Sequence, residues 1–309
     1  MEFFKHNTRI HFMAQRKGAA ILSTILFVLS LISLIYNGLT WGLDFTGGTQ
    51  IQVRFIEEAN ITHIRDSLQQ AGFKDAIVQS YGTSKDVLIT LAAKENGMDS
   101  NHKDTMVARV LQALPEAKLQ QVDYIGPQVG QELATKGALA IVIALLGTMI
   151  YIGLRFEFRF AVGSTVALIH DPIIILGVFS FFHIEFNLIA LAAVLTVIGY
   201  SLNDTIVIFD RIRENFRKLR KAEPIEVINQ AINQTLSRTI MTSVLTLMVV
   251  LALFFLGGTM LYGFSLALII GIIVGTYSSI YVAGSLSLAL GLTRQHLLPT
   301  PKELLDERP

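Results

Sequence analysis

The sequence predicts a multi-pass α-helical membrane protein with one α+β domain inserted after its first membrane-spanning helix. Its 309 residues are 52% hydrophobic and only 16% charged, whereas soluble domains carry about 25% charged residues. The apolar residues are gathered in six long runs, and a polar stretch from 40 to 132 separates the first run from the other five. These two observations favour a lipid-embedded bundle over a soluble globular fold.

Each apolar run is long enough to span a membrane, since about 20 helical residues cross about 30 Å of hydrocarbon. The predicted spans are 18–39, 133–153, 160–182, 188–209, 239–256 and 264–290, so that spans two to six fall within 133–291. The first run follows a basic segment and ends without a small-x-small cleavage pattern. We therefore expect an uncleaved signal anchor.

The distribution of basic residues predicts the orientation of the spans. Arg and Lys are concentrated in the loops at 155–159 and 211–221 and are absent from 182–187 and 257–263. Because positively charged loops stay in the cytoplasm, both basic loops and both terminal tails (1–17 and 292–309) are predicted to be cytoplasmic. The segment 40–132 then lies on the opposite side. The loop at 211–221 could also contact anionic membrane lipid or a partner.

The segment 40–132 has the periodicities of a small α+β domain. Apolar and polar residues alternate at 50–55, which predicts a half-buried strand, and shorter β-rich runs follow at 76–81, 86–91 and 119–125. Apolar residues recur at helical spacing in 61–71 and 106–114. The resulting order, β-α-β-β-α-β, predicts a ferredoxin-like domain.

Composition excludes several function classes. The chain has no cysteine, which excludes disulfides, thiolate metal sites and a cysteine nucleophile. No His, Asp and Glu cluster has metal-ligand spacing, and no nucleophile-elbow motif occurs. We therefore expect no enzyme activity, no metal and no cofactor. The basic residues do not form one continuous face, so a nucleic-acid partner is not expected either.

The residues most indicative of function are three charges within or bordering the apolar runs, Asp171, Asp204 and Arg238. A charge at the bilayer centre costs about 2.5 to 3.5 kcal/mol, so such residues usually face protein and serve a function. Asn203 and Asp204 fall within one helical turn of Tyr200, and all three are predicted to share a polar face toward the bundle interior. Arg238 opens the next predicted span, which an antiparallel arrangement brings to about the same depth as Asp204.

Two interpretations of Asp204 and Arg238 remain open at this point. Burial favours the protonated carboxyl group and a nearby guanidinium favours the ionised one, so movement of Arg238 relative to Asp204 would load and release a proton. Alternatively, the two residues form a static ion pair that sets the helix register. Asp171 lies between His170 and Pro172. It either caps the kink that proline introduces or provides a second proton site with the histidine.

A glycine-rich motif, WGLDFTGGT at 41–49, lies where the first span leaves the membrane. Its glycines permit turns that other residues resist. The motif has neither the lysine nor the following helix of a phosphate-binding loop, so we interpret it as a structured start of the outer domain.

Four segments, 41–49, 198–215, 234–246 and 275–281, resemble the SecD/SecF family of protein-export membrane proteins, which belongs to the RND-type transporter superfamily. The resemblance covers nearly the whole chain, and one six-span unit with a small outer domain is typical of SecF-type members. It implies a fold that is half of an RND-type bundle. It also implies that Gly42, Asp44, Phe45, Gly47 and Gly48 are the family signature at the start of the outer domain.

The resemblance further implies a function and partners. Asp204 and Arg238 would couple the proton gradient to protein export across the bacterial inner membrane, with protons as the coupling ion and the outer domain in the periplasm. The expected partners are SecD, the SecYEG channel and YajC, with the secretory polypeptide as a further contact of the outer domain. A small-solute antiporter and a purely structural subunit are the alternatives.

Overall fold

The computed structural model describes residues 9–81, 83–92, 101–219 and 221–292. Residues 1–8 of the predicted amino-terminal tail, 293–309 of the predicted carboxy-terminal tail, and Arg220 of the basic loop lie outside this description. In chain order the elements are α1 (Arg16–Tyr36), β1 (Thr40–Trp41), α2 (Leu43–Thr46), β2 (Gly48–Arg54), α3 (Ile61–Gln70), β3 (Ile77–Tyr81), β4 (Thr83–Ala92), α4 (Asn101–Ala113), β5 (Lys118–Ile125), α5 (Pro127–Arg155), α6 (Phe158–Phe181), β6 (Glu185–Phe186), α7 (Leu188–Lys218), α8 (Pro224–Leu256), α9 (Tyr262–Ser278) and α10 (Gly284–Ala289).

The described residues contain six helical segments that are long and apolar enough to cross a membrane, as predicted. They are α1 with a preceding 3₁₀ turn, α5, α6, α7, α8, and α9 continued through α10. A π-helical turn at Ser279–Ala283 joins the last two. The inner helices are α6, α7 and α9, whereas α1, α5 and α8 expose most of their apolar surface. Such exposure suits helices that face lipid or a partner subunit.

Two of the helices are much longer than the predicted spans. The fourth span was predicted to end at 209, but α7 continues to Lys218, and the fifth was predicted to begin at 239, but α8 begins at Pro224. A charged residue ends a span that is predicted from hydropathy, but the helix itself can continue beyond that residue. The polar end of α7 is held by the Arg211–Glu214 and Lys218–Glu214 ion pairs, and Pro224 starts α8 because a first-turn residue needs no amide donor.

The first helix packs along α6 through small residues. Ser23, Ser30 and Ser33 form the buried face of α1, and a Cβ atom added to Gly177 of α6 would lie 2.2 Å from Ser30 Cβ. Ser33 Oγ donates to Ser180 Oγ at 3.0 Å. Small residues allow this close approach between membrane helices, which van der Waals contact and interhelical hydrogen bonds then stabilise.

The inserted segment folds as the predicted β-α-β-β-α-β sequence. Its four strands form an antiparallel sheet in the order β3-β4-β2-β5, which is consistent with a ferredoxin-like arrangement. One face of the sheet packs against α3 and α4, and Ile51, Val53, Leu68 and Val110 are buried in that core. The polar face borders a cleft of about 1010 Å³, whose other wall is formed by residues at the nearby end of the bundle. We call this end the domain end and the opposite end, with the Arg-rich loops, the basic end.

Candidate functional site

Asp204 lies in the interior of the bundle, on the buried side of α7. Its side chain is 3% exposed, and its Oδ2 atom is buried without a hydrogen-bond partner. Native structures contain few buried polar atoms of this kind, because each unpaired group costs about 1 to 3 kcal/mol. The carboxyl group of Asp204 is therefore held in a place where its charge is poorly compensated.

Arg238 lies well inside α8 and is close enough to interact electrostatically with Asp204. Its side chain is exposed, and no hydrogen bond or ion pair within 4.0 Å joins it to Asp204, although both residues belong to the described part of the chain. The antiparallel packing of α7 and α8 thus brings the two charges to a similar depth, as expected. The close static pair that was one of the two alternatives is not present in this state.

The prediction that Asn203 shares an inward face with Asp204 is wrong. Asn203 is exposed, Tyr200 is half-buried, and Asp204 is buried. Successive residues of an α-helix point about 100° apart, so burial of Asp204 between neighbouring helices turns Asn203 outward. Asn203 instead belongs to an open face of α7.

Asp171 has surroundings opposite to those of Asp204. It is 1% exposed, and its Oδ2 atom accepts hydrogen bonds from Ser201 Oγ of α7 at 2.6 Å and Ser278 Oγ of α9 at 2.9 Å. Its Oδ1 atom lies 2.9 Å from His170 Nδ1. These side-chain contacts join helices, so the interpretation of Asp171 as a cap for the Pro172 kink is not supported by the structure.

The network around Asp171 continues to the first helix. His170 Nε2 lies 2.6 Å from Ser23 Oγ of α1, so four helices meet at one buried set of side chains. Sequence reasoning identified Asp171 and His170 but missed Ser23, Ser201 and Ser278. The available signal was the recurrence of small hydroxyl residues within apolar helices, which is typical of helix contacts in membranes.

The glycine-rich motif makes close contacts with two other chain segments. A Cβ atom added to Gly42 would lie 2.8 Å from Asn187 Cβ, and one added to Gly47 would lie 2.9 Å from Pro127 Cα. Gly47 also has a φ of +66°, a conformation that favours glycine. The motif therefore joins the start of α5 to the start of α7, and is more than the start of the outer domain that was predicted.

Asp44 and Phe45 of the motif complete this junction. Asp44 Oδ2 accepts a hydrogen bond from the Leu188 amide at 2.8 Å, which satisfies a free donor at the first turn of α7. Phe45 stacks on Phe186 of β6, with the ring centroids 6.0 Å apart. β6 in turn pairs in parallel with β1, so the end of the first span is fixed to the loop between α6 and α7.

Glu185 is a functional candidate that sequence reasoning missed. It lies in β6 at the wall of the cleft, and burial raises the pKa of its carboxyl group above the usual 4.5, although hydrogen bonds from Gln50 and the Leu43 backbone act in the opposite direction. Gln50 belongs to β2, so this carboxyl group connects the inserted domain to the bundle. Nothing in the local sequence marks a lone glutamate in a short loop.

Metal chemistry has no evident site in the part of the chain that the structure describes. Within the ranges that the structure describes, no three His, Asp or Glu residues are grouped so that they could hold a metal ion. The buried carboxyl groups of Asp171 and Asp204 and the exposed guanidinium of Arg238 are groups that can take part in proton transfer.

The fold and the buried charges define the class of the protein as a multi-pass α-helical membrane protein with one inserted α+β domain and ionisable residues inside the bundle. Two family models match the chain. Residues 106–293 match the C-terminal model of the protein export membrane protein SecD/SecF, and residues 32–55 match the SecD/SecF GG motif. The chain therefore belongs to the SecD/SecF family of protein export membrane proteins.

Relatives named protein translocase subunit SecF match nearly the whole chain. The protein from Vibrio alginolyticus is 46% identical over 98% of this chain and 96% of its own length, and that from Escherichia coli O157:H7 is 43% identical over 96% and 93%. These matches confirm the SecF-type resemblance. Among solved structures, the translocon-associated membrane protein SecDF from Thermus thermophilus is 35% identical and has a TM-score of 0.84. The chain covers 39% of the length of that SecDF chain, which covers 93% of this chain.

Proposed function

We propose that the chain is an accessory subunit of the Sec protein translocase that, together with SecD, uses the proton gradient to support the export of secretory proteins across the bacterial inner membrane. Asp204 is the proton carrier, and Arg238 modulates its proton affinity. The coupling ion is the proton, and no other cofactor is required. The role is one of transport rather than enzymatic catalysis.

The observation that carries this proposal is the unpartnered, buried carboxyl oxygen of Asp204 close to the Arg238 guanidinium. A carboxyl group without fixed donors changes protonation more easily than one held by several hydrogen bonds, since no donor favours the ionised form. The exposed Arg238 has room to move toward or away from Asp204. Such movement would favour the ionised or the protonated form in turn.

The energy available from one proton is sufficient for this role. A charge that crosses 100 mV releases about 2.3 kcal/mol. This free energy biases a two-state equilibrium roughly fifty-fold. One titrating carboxyl group can therefore drive a substantial change in the relative arrangement of the bundle and its outer domain.

We place SecD against the open face of α7. Ala192, Thr196, Gly199 and Asn203 are exposed on this face. Small residues permit close helix packing, and an amide such as that of Asn203 is costly when it faces lipid. A partner helix at this face would also cover the side of α7 next to Asp204, so that two subunits would enclose the proton site.

The orientation and the remaining partners follow from the charges and the family. Arg155, Arg211 and Lys218 lie at the basic end of the bundle, so we propose that this end is cytoplasmic and that the inserted domain is periplasmic. We further propose association with the SecYEG channel and YajC, and contact of the secretory polypeptide with the periplasmic domain. In support, the related SecDF is described as translocon-associated.

Structures of SecDF support a mechanism with domain movement. The chain is 35% identical to SecDF in two structures, but its TM-score is 0.84 with one and 0.68 with the other, which is a super-membrane-facing form. The homologous region thus adopts more than one arrangement in SecDF. A protonation change at Asp204 is a suitable trigger for a similar change in this chain.

The test is the export rate in cells that lack the native protein and carry Asp204→Asn at matched membrane levels. We expect maturation of a periplasmic protein to slow to the rate of cells without the subunit, while SecD still co-purifies with the variant. Asp210→Asn is the matched control, because Asp210 lies on the same helix but pairs with Arg155 near the basic end. Export in this control should be near normal.

Normal export with Asp204→Asn would contradict the proposal. Asp204 would then be structural polar packing, and the chain would act as a scaffold for its partner. Loss of co-purification would show that the substitution had disrupted assembly. Proton flux through a single-chain fusion of SecD to the Asp204→Asn variant, compared with the native fusion in liposomes, would then decide whether the carboxyl group carries protons.

A further inference from the structure

Besides the Asp204 carboxyl oxygen, a second buried polar atom without a hydrogen-bond partner lies on the neighbouring helix α8. The Oγ1 atom of Thr239 is buried and has no hydrogen-bond partner, as is true of Asp204 Oδ2. Thr239 is 1% exposed and follows Arg238 directly. A third such atom, in Ser265, completes the set found among the described residues. Two of these three orphaned atoms therefore belong to neighbouring helices at the proton site.

The other threonines of α8 show that the state of Thr239 is unusual. Thr235, Thr242 and Thr246 each donate a hydrogen bond from the hydroxyl to the carbonyl oxygen four residues earlier, at 3.0, 3.1 and 2.8 Å. This is the ordinary way in which a helical threonine satisfies its hydroxyl group. Thr239 has the same option and does not use it, so its hydroxyl is oriented away from its own backbone.

A neighbouring contact fixes the position of Thr239 relative to α7. Tyr200 Oη of α7 donates to Ser243 Oγ of α8 at 3.3 Å, and Ser243 lies 2.8 Å from Thr276 of α9. The two helices are antiparallel, so one helical turn further along α7 corresponds to one turn back along α8. That step leads from Tyr200 to Asp204 and from Ser243 to Thr239, which places these two residues at a similar level of the neighbouring helices.

We propose that Thr239 is a positioning residue for Asp204, whose hydroxyl donates a hydrogen bond to the Asp204 carboxylate in the ionised state of the transport cycle and releases it when the carboxylate takes up a proton. In the structure both atoms are without a partner, as this proposal expects of the released arrangement. A small relative movement of α7 and α8 would pair both orphaned atoms at once, which supplies a driving force for that movement. The inference rests on the proposed role of Asp204 as proton carrier.

Other charged and titratable groups among the described residues lie on the elements around Asp204 and Thr239. Arg238 approaches from α8, and Tyr200 lies one turn away on α7 itself. From α6, Asp171 accepts a hydrogen bond from Ser201, which lies on the same buried side of α7 one turn before Asp204. On α9 and its π-helical turn, Tyr277 and Tyr281 direct their hydroxyls toward Ala19 and Gln15 of the first helical segment. Thr239 is a buried neutral donor at the level of Asp204.

The test is an infrared titration of the full chain, reconstituted in liposomes with its SecD partner. The band of interest is the carboxyl C=O band that Asp204→Asn abolishes. We expect Thr239→Val, which keeps the shape of the side chain, to raise the midpoint pH of this band by about one unit, because a donor to the ionised form is lost. Thr239→Ser should restore the original midpoint. Thr239→Ala is a second variant that removes the same hydroxyl.

Thr235→Val is the matched control, since it removes a buried hydroxyl of the same helix that is satisfied by its own backbone. Equal midpoints for Thr239→Val and Thr235→Val would overturn the inference while leaving the role of Asp204 intact. A spectrum in which Asp204→Asn removes no titrating band would overturn both. A midpoint that shifts in Thr239→Val and returns in Thr239→Ser cannot result from a general loosening of the helix packing.

Discussion

Asp171 and Asp204 lie on adjacent helices inside the same apolar bundle, and both side chains are almost fully buried. Their carboxyl groups are nevertheless surrounded in opposite ways. Asp171 accepts hydrogen bonds from two serines and lies beside the His170 ring. Asp204 has one oxygen without any partner and a guanidinium that interacts with it only at a distance.

This difference indicates different roles for the same residue type. A buried charge that is fully hydrogen-bonded holds its surroundings in one arrangement, because any movement leaves several groups unpaired. A buried carboxyl group with unused bonding capacity can change protonation or partner at low cost. For function, the number of hydrogen bonds that a buried carboxylate accepts therefore matters more than its position in the membrane.

The sharpest test of this comparison is the stability of Asp171→Ala. Removal of the carboxylate leaves His170, Ser201 and Ser278 without their shared partner, and we expect a loss of about 3 kcal/mol or more of unfolding free energy. Thermal unfolding of the detergent-purified protein measures this loss. Asp204→Ala is the matched variant and should unfold within a few degrees of the native protein, since the unpartnered oxygen has no hydrogen bond to lose. Equal losses for both variants would contradict the comparison.

A second test concerns the distance between Arg238 and Asp204. Because no hydrogen bond joins the two side chains, a positive charge at this place matters more than the geometry of a guanidinium. We expect Arg238→Lys to keep the proton-dependent export rate within about twofold, and Arg238→Met to lower it roughly tenfold, the effect of about 1.4 kcal/mol of lost electrostatic interaction.

The measurement is the export rate at matched protein levels, with and without a collapsed proton gradient. Lys218→Met supplies a control for the loss of one positive charge, because Lys218 pairs with Glu214 at the basic end of α7. If Arg238→Lys were as defective as Arg238→Met, the cycle would include a state in which the guanidinium binds Asp204 directly.

The sequence was sufficient to predict the six helices, the order of elements in the inserted domain, and the position of Asp204 inside the bundle near Arg238. These features depend on local properties, such as the length of an apolar run, the period of an amphipathic segment, and the high cost of a charge in lipid. Asp204 stands out in the sequence because its neighbours Val207 and Ile208 are apolar. No tertiary information is needed to see this.

The partners of each charge could not be predicted, since they come from distant parts of the chain. Asp171 binds Ser201 and Ser278, and reaches Ser23 only through His170. The outward orientation of Asn203 was missed for a related reason. Helical periodicity shows which residues share a face, but not which face a neighbouring helix covers. The long contacts of the glycine-rich motif with α5 and α7 are likewise a product of tertiary packing.

The smallest expected effect is at Glu185, where the bundle meets the inserted domain. Burial raises the pKa of this carboxyl group in the folded protein above its ordinary 4.5, so the folded state binds the proton more tightly than the unfolded state does. The resulting contribution to stability is fully present below pH 4.5 and is lost as the pH rises through the folded pKa. Glu185→Gln removes a titrating group and should flatten this part of the stability profile.

Thermal unfolding over a series of pH values from 4.5 upward measures this effect, which should remain below about 1 kcal/mol because the carboxyl group borders the cleft and is partly solvated. Glu116→Gln is the control, since Glu116 is exposed in the same folded chain. If Glu185→Gln and the native protein lost stability in parallel, protonation of Glu185 would make no contribution to the pH dependence of stability. If only the native profile fell, the cost of burying the ionised Glu185 carboxylate would exceed the stabilisation from its Gln50 and Leu43 hydrogen bonds, and protonation would favour attachment of the inserted domain to the bundle.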